Sequence, residues 1–368
     1  MNMNFYMPTR VISGKDCISQ NKALFNLGKS CMIVTGASSA IKSGALDDVI
    51  DALCDNGIEY IVYDKIRENP LLSTCYDGGV IAREFGCDFV VGIGGGSPMD
   101  ASKAIAAFIA NPEIEPDQIF NIPALAPSVP IILIPTTSGT GSEGNPYSIL
   151  SLDGMDKKQT FNSPYSYAKY AFLDYKYTVS LSRNYSLSTA LDAFCHCIES
   201  YMSPKSTDIS RMFALYGAKN IWSCLDGLDK GEITEQMREA LMYASFAGGV
   251  AINTTGTGFP HPMGYNLTFY ADLPHGRACA VFIGKYVECQ MRCEEGARLM
   301  TAFADALDTT PEIIGKYLPK LSEFEAEIDE ETLRMFADKV KTAGNFANAP
   351  YKLEYDEMME IYKDLFTK

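Results

Sequence analysis

The stretch Ala190-Leu191-Asp192-Ala193-Phe194-Cys195-His196-Cys197-Ile198-Glu199 sets a carboxylate, Asp192, and an imidazole, His196, four positions apart in a run that predicts a helix. Residues at i and i+4 share a helix face, so both groups can point at one ion. The chain holds only three histidines, and the other two follow in Phe259-Pro260-His261-Pro262-Met263-Gly264-Tyr265 and Leu273-Pro274-His275-Gly276. One carboxylate and three imidazoles suit a divalent cation such as Fe(II) or Zn(II) and leave coordination positions for a substrate. The same spacing also suits an ordinary hydrogen-bonded Asp–His pair, so the metal reading depends on a cofactor site elsewhere in the chain. Cys195 and Cys197 do not turn His196 into a zinc knuckle, because successive helix residues point in different directions.

A second chemistry is written in glycine. Gly94-Gly95-Gly96-Ser97-Pro98-Met99-Asp100 lies between an expected strand and an expected helix. Glycines let a backbone approach a ligand closely, Ser97 is placed to cap the helix, and Pro98 suits its first position. A helix N-terminus offers unpaired N–H groups with partial positive charge, which suits a pyrophosphate. The segment is neither G-x-G-x-x-G nor a P-loop, and a tight turn without ligand fits it too. A second loop, Pro135-Thr136-Thr137-Ser138-Gly139-Thr140-Gly141-Ser142-Glu143, also follows a strand. Ligands of open α/β sheets bind beyond the carboxyl ends of strands, so two such loops can line one dinucleotide crevice.

The elements that must hold these residues fall into two halves. From about residue 29 to 175, short apolar runs at 31–35, 60–63, 89–93 and 131–134 predict buried strands, and helices are predicted near 46–53, 71–85 and 104–108. Alternation of this kind implies a parallel sheet covered on both faces. Beyond about residue 180, helical segments at 187–202, 208–226, 232–252, 294–307 and 329–342 dominate, the last opened by Asp329-Glu330-Glu331 where the helix dipole favours negative charge. The expected organisation is an α/β nucleotide-binding domain over 1–180 and an all-helical metal-binding domain over 181–368.

Bulk properties agree with small-molecule chemistry. A length of 368 residues exceeds one hydrophobic core, and 47% apolar with 21% charged residues describes an ordinary globular chain. A net charge of -15 argues against nucleic acid and against an anionic membrane face as partners. The segment Met1-Asn2-Met3-Asn4-Phe5-Tyr6 carries no basic region followed by a long apolar one, so neither a signal sequence nor a membrane span is expected. Eleven scattered cysteines, an odd number set in apolar runs, point to reduced thiols in a cytoplasm.

The glycine segment from Gly94 to Lys103, the Pro135 to Glu143 loop, the Asp192/His196 pair and the His261…His275 passage, in this order and spacing, resemble the iron-containing (group III) alcohol dehydrogenase family over nearly the whole chain. That resemblance implies the dehydroquinate synthase-like fold of the family, a homodimer, and Asp192, His196, His261 and His275 as ligands of a catalytic Fe(II), with Zn(II) as the alternative. It implies Gly95, Gly96 and Ser97 at the pyrophosphate, Thr136 and Thr137 nearer the nicotinamide, and Asn69, Ser142, Tyr147 and Lys158 as further cofactor-lining positions. Many relatives carry a histidine four residues after the third ligand, where this chain has Tyr265.

The turn after the first buried strand, Thr35-Gly36-Ala37-Ser38-Ser39-Ala40-Ile41-Lys42, bears on cofactor choice. NAD sites commonly place a carboxylate here for the ribose 2′-hydroxyl. Gly36 supplies none, whereas Ser38, Ser39 and Lys42 can receive a 2′-phosphate, so NADP(H) is favoured over NAD(H). The expected reaction is reversible hydride transfer between the nicotinamide and a small primary alcohol or aldehyde, with the metal lowering the pKa of the substrate oxygen. The region around Phe161, Phe259, Tyr265, Phe269 and Tyr270 reads as an apolar, aromatic substrate region, although each ring taken singly suits the core better than a pocket wall. The alternatives are a Zn(II)-dependent glycerol or polyol dehydrogenase using NAD(H), a sugar-phosphate cyclase of the same fold, and a non-catalytic nucleotide binder.

Overall fold

The computed structural model describes residues 5–155 and 157–367, so the first four residues considered above for a leader lie outside it. The chain divides into two compact units: one holds Tyr6–Ser182 with Thr234–Phe246, the other Arg183–Ile233 with Ala247–Lys368.

The first unit is built on β1 (Arg10–Ser13), β2 (Ser30–Gly36), β3 (Glu59–Ile66), β4 (Phe89–Gly94), β5 (Ile131–Pro135), a hairpin of β6 (Tyr147–Ser151) and β7 (Lys158–Asn162), and β8 (Tyr170–Leu173). Apart from the antiparallel hairpin, the strands form one parallel sheet ordered β1-β8-β5-β4-β2-β3. Its helices are α1 (Cys17–Gln20), α2 (Ser39–Ser43), α3 (Ala45–Asp55), α4 (Leu72–Phe85) and α5 (Gly96–Ala110).

Side chains of a strand point alternately to opposite faces, and here both faces are buried. Met32, Val34, Val90 and Leu133 pack with Cys75, Ala82, Ile105 and Phe108 of α4 and α5. Cys31, Ile33, Val91 and Ile132 pack on the other side with Val49, Ala52 and Leu53 of α3. Burial on both sides explains why β2, β4 and β5 are uninterrupted apolar runs in the sequence. The hairpin and β1 lack such a run, and the apolar run of β8 is only four residues long.

The chain order reverses between β2 and β4. From β2 it steps outward to β3 and then returns to β4 on the opposite side of β2. Neighbouring strands with connections leaving in opposite directions open a crevice at their carboxyl ends, where ligands of such sheets bind. The Gly36 to Lys42 turn follows β2, the Gly94 to Gly96 turn follows β4, and the Thr136 to Ser142 loop follows β5 on the other flank of β4.

The second unit is helical: α6 (Arg183–Met202), α7 (Asp208–Lys230), the later part of α8 (Glu235–Thr255), α9 (Pro260–Ala271), α10 (His275–Val281), α11 (Ile283–Gln290), α12 (Glu294–Ala306), α13 (Pro311–Leu321), α14 (Glu330–Val340) and α15 (Tyr355–Phe366). From Ser186 to Met202 every residue of α6 except Thr189 is buried, which makes it the core helix of this unit. Helix α8 starts three residues later than the expected 232–252, because the Thr234 hydroxyl accepts from Met237 N at 3.2 Å and caps the turn there. Asp329 caps α14, accepting from Thr332 N at 2.9 Å. Among the described residues no helix is long and apolar enough to cross a membrane.

Helices α9 and α10 were not legible as helices because proline and glycine crowd the passage. Both residues have a positional use. Pro260 occupies the first turn of α9, where its missing N–H costs nothing. Gly276, in the first turn of α10, lets that backbone lie directly on α6: a Cβ there would stand 1.9 Å from Ser188 O and 2.7 Å from Asp192 N. The approach seats His275 beside Asp192.

Gly276→Ala therefore forces the two helices apart. Its thermal or urea midpoint should show a loss of about 1–3 kcal/mol or more, whereas Gly344→Ala, where a Cβ meets nothing within 4 Å, should stay near wild type.

Candidate functional site

Asp192 and His196 project from the same face of α6, His261 from the first turn of α9 and His275 from the first position of α10. Their donor atoms converge. Asp192 Oδ1 lies 3.6 Å from His196 Nε2, 3.6 Å from His261 Nε2 and 3.7 Å from His275 Nε2. The His196 and His261 rings stack at 4.8 Å, and His275 meets His261 edge-on at 5.4 Å. A tetrahedral shell with bonds of about 2.1 Å would hold its donors about 3.4 Å apart, close to these separations.

Asp192 Oδ1 and His261 Nε2, which face each other, are buried polar atoms with no hydrogen-bond partner among the described residues. Such atoms are costly unless something satisfies them. A divalent cation between them would satisfy both, so the donor set fits a metal. Burial raises the Asp192 pKa, but the charges of His196, His275 and His261 outweigh it and hold the carboxyl well below the usual range. Burial lowers the His261 pKa, yet the Glu199 carboxylate and Asp192 hold it up at about 10. Both shifts describe a pocket that stabilises positive charge.

Two neighbours were missed from sequence. Glu199, fully buried on α6 and seven residues after Asp192, lies with Oε1 2.8 Å and Oε2 2.9 Å from His261 Nδ1. Cys279, one turn after His275, belongs with Asp192, His261 and His275 to a group whose ligand atoms all lie within 4.8 Å of one another. Its Sγ is 3.7 Å from both ring nitrogens of His275, which puts it beside the ring rather than along the Nε2 lone pair. His196 Nε2, at the same distance from Asp192 Oδ1 as the other two imidazoles, is the better fourth donor. Cys195 and Cys197 are buried and stand outside that group.

The aromatic expectations divide. Tyr265 stacks on His275 at 5.3 Å. Phe161 is wholly buried in the core of the sheet unit, and Phe259 is buried against Tyr286 and Phe346, so both are core residues and not pocket walls. Phe269 and Tyr270 are substantially exposed.

In the sheet unit the glycine turn and its neighbours are tied together. Thr136 N donates to Gly94 O at 2.9 Å, and Asn69 N donates to Ser97 Oγ at 3.2 Å. A Cβ on Gly95 would stand 3.2 Å from Thr137 Oγ1, and one on Gly96 2.7 Å from Thr140 Cγ2, so the two loops lie against each other. Ser97 does not cap α5 as expected. The helix begins at Gly96 with Gly95 in the cap position and no side-chain cap bond, which leaves its first N–H groups without one. Ser38 and Lys42 are exposed around the short α2. Tyr147 and Lys158 occupy opposite ends of the hairpin, Tyr147 facing Asn162 and Lys158 facing Ser151.

Beneath these loops lies a buried charge cluster. Lys103 Nζ donates to Ser142 O at 2.8 Å, Ser142 Oγ at 2.6 Å and Tyr147 O at 2.6 Å, and Ser142 Oγ donates to Asp100 Oδ1 at 2.5 Å. Burial pulls Lys103 down to about 8 and pushes the neighbouring Glu143 up to about 7.

The two units thus form a doubly covered parallel sheet with glycine turns at its switch point and a helical body with one carboxylate and three imidazoles around a point. The Fe-ADH family model, described as iron-containing alcohol dehydrogenase, matches residues 8–175, and the C-terminal model of the same family matches 186–366. This chain belongs to the iron-containing alcohol dehydrogenase family and is an oxidoreductase of that family. It is 26% identical to the NADPH-dependent butanol dehydrogenase of Clostridium saccharobutylicum, over 99% of this chain and 98% of that protein. It is 32% identical to the sulfoacetaldehyde reductase of Bilophila wadsworthia over 75% of this chain and 73% of that protein. A crystal structure of an iron-containing alcohol dehydrogenase from Thermotoga maritima superposes with a TM-score of 0.91 at 32% identity, covering 99% of both chains.

The buried Glu143 gives a pH test. Burial pushes its pKa up to about 7 from the ordinary 4.5, so the native state binds a proton that the unfolded chain releases. That contribution is present below pH 4.5 and lost as pH rises through 7. Glu143→Gln should match wild type at pH 4 and exceed it at pH 8, by at most about 3 kcal/mol, in urea midpoints taken across that range.

Proposed function

We propose that this protein is a metal-dependent NADP(H)-linked alcohol dehydrogenase or aldehyde reductase acting on small primary alcohols and aldehydes. The cation would be Fe(II), held by Asp192, His196, His261 and His275. The observation that carries the reading is the placement of all three imidazole Nε2 atoms within 3.6–3.7 Å of one buried carboxylate oxygen. When bound, the cation would supply Lewis-acid polarisation of the substrate oxygen.

The protein's own groups have distinct tasks. Asp192 contributes the negative charge that favours a cation over neutral ligands, and the three imidazoles contribute neutral nitrogen donors. With every histidine facing that point, none is free to act as a general base toward substrate. Tyr265, stacked on His275, fixes the plane of that ring. In the sheet unit, Gly95, Gly96 and Ser97 would receive the pyrophosphate at the start of α5, with Thr136 and Thr137 beside it. Asn69, Ser142, Tyr147 and Lys158 would line the cofactor further out, Ser142 held in place by Lys103 and Asp100.

NADP(H) is favoured over NAD(H) because the turn after β2 offers the hydroxyls of Ser38 and Ser39 and the ammonium of Lys42 and no carboxylate near Gly36. The proposal includes a homodimer, from the family resemblance, and a cytoplasmic location, from eleven cysteines that are all free thiols. A Zn(II)-dependent polyol dehydrogenase using NAD(H) is the second reading, since three nitrogens and one oxygen also suit Zn(II).

His261→Ala and His275→Ala should each lower aldehyde turnover with NADPH on the order of 100-fold or more, with NADPH binding at the wild-type level by fluorescence titration. Near-normal turnover in either variant would remove that residue from the metal. Steady-state comparison should give a higher kcat/KM with NADPH than with NADH, and the reverse order would reject the cofactor assignment.

A further inference from the structure

We propose that Glu199 is the positioning residue of the metal centre: it fixes which nitrogen of His261 is offered to the cation and supplies the second buried negative charge that the cation neutralises. The inference rests on the metal reading above and goes beyond its four ligands.

Glu199 is fully buried, and its carboxylate faces two donors. His261 Nδ1 lies 2.8 Å from Oε1 and 2.9 Å from Oε2, and Gly258 N donates to Oε2 at 2.5 Å. An ionised carboxylate only accepts hydrogen bonds, so a proton must stay on Nδ1. The nitrogen left to exchange its proton for a cation is Nε2, the one directed at Asp192 Oδ1. A histidine ligand is normally set in this way by the bond that its other nitrogen makes.

The carboxylate is itself held from behind. Thr257, next to Gly258, accepts at its carbonyl from Asn345 Nδ2 and Asn348 Nδ2, each at 3.0 Å, and Asn345 Nδ2 also reaches Thr257 Oγ1 at 2.9 Å. Asn348 in turn accepts from Ser203 Oγ at 2.8 Å. The loop that donates Gly258 N is therefore pinned to the chain near residue 345. A Cβ on Gly258 would come within 3.4 Å of the Glu199 side chain, so the loop backbone lies against the carboxylate directly.

Charge gives the second half. Among the described residues, Asp192 and Glu199 form ion pairs with histidines and none with lysine or arginine. With neutral imidazoles as ligands, the buried pocket carries two negative charges, and one dication balances them. Glu199→Gln leaves the same volume with one charge fewer and puts an amide donor where Gly258 N or His261 Nδ1–H needs an acceptor.

The test uses the full-length protein stripped by a chelator and titrated with Zn(II) against a chromophoric competitor. Wild type should bind one ion per chain. Glu199→Gln should bind one ion with a Kd raised roughly 10- to 100-fold and should gain less in Tm on adding Zn(II) than wild type does. A wild-type Kd in Glu199→Gln overturns the proposal and leaves the metal reading standing. Failure of wild type to bind one ion, or an unchanged Kd in Asp192→Asn, removes the metal reading and this proposal together. Should Glu199→Gln not fold, 15N NMR of histidine-labelled, Zn(II)-loaded wild type decides: a proton on Nδ1 of His261 with Nε2 on the metal is expected, and the opposite arrangement overturns the proposal.

Discussion

A carboxylate buried without a permanent cation is the constraint around which the helical unit is arranged. Asp192 lies in the interior of a helix that is buried nearly throughout, and among the described residues its Oδ1 pairs with three imidazole nitrogens and with no lysine or arginine. An isolated buried carboxylate would take up a proton rather than stay charged. Three imidazoles around one oxygen, each able to hold a proton or a metal, give positive charge a place to reside. His261 makes the point most sharply. Burial should make it a weak base, yet two carboxylates hold it a good deal more basic than an ordinary histidine.

The surrounding elements follow from the need to bring those nitrogens close. Helix α6 can contribute only what its own face presents, namely Asp192, His196 and Glu199 at i, i+4 and i+7. The remaining donors must come from helices whose backbones approach α6 more closely than ordinary side chains permit. Glycine at 276 allows that for α10, and Gly264 of α9, whose Cβ would stand 3.0 Å from Cys279 N, allows α9 and α10 to lie against each other. Packing at this density leaves little freedom for the imidazoles, which is how a coordination geometry is stored before any ion arrives.

Legibility in the sequence followed the physics of each feature. Strands buried on both faces appear as unbroken apolar runs, so β2, β4 and β5 could be placed; the edge strand β3 showed through its Tyr-Ile-Val-Tyr run although it is half exposed, while the short β1 and β8 and the hairpin were not placed. The Asp192/His196 pair was visible because helical period is a local property. His261 and His275 were found only because no other histidines exist, and the helices that carry them were hidden by prolines and glycines serving as a first turn and as close-packing points. Glu199 stood in plain view at helical spacing, but a glutamate seven residues from an aspartate means nothing until His261 is known to face it. Phe161 and Phe259 fell to the core, the better-supported of their two readings, because order along a chain does not tell an apolar ring whether it meets a ligand or a core.

Two of the buried charge clusters among the described residues show how binding differs from bracing. In the sheet unit, Asp100 is satisfied by Ser142 Oγ and Ile149 N, and Lys103 spends its donors on Ser142 and the Tyr147 carbonyl. That pair carries both signs and is closed by its own hydrogen bonds within the chain, so it fixes the loop after β5 on α5, while the neighbouring Glu143 carboxyl, buried without a hydrogen-bond partner among the described residues, is held toward its neutral form by burial. Around Asp192 the permanent charges are of one sign, and the atoms left unsatisfied, Asp192 Oδ1 and His261 Nε2, face each other. Folding tolerates the first arrangement because it is complete. It tolerates the second only where an external cation, or a proton in its place, completes it, and that incompleteness separates a ligand site from a structural ion pair.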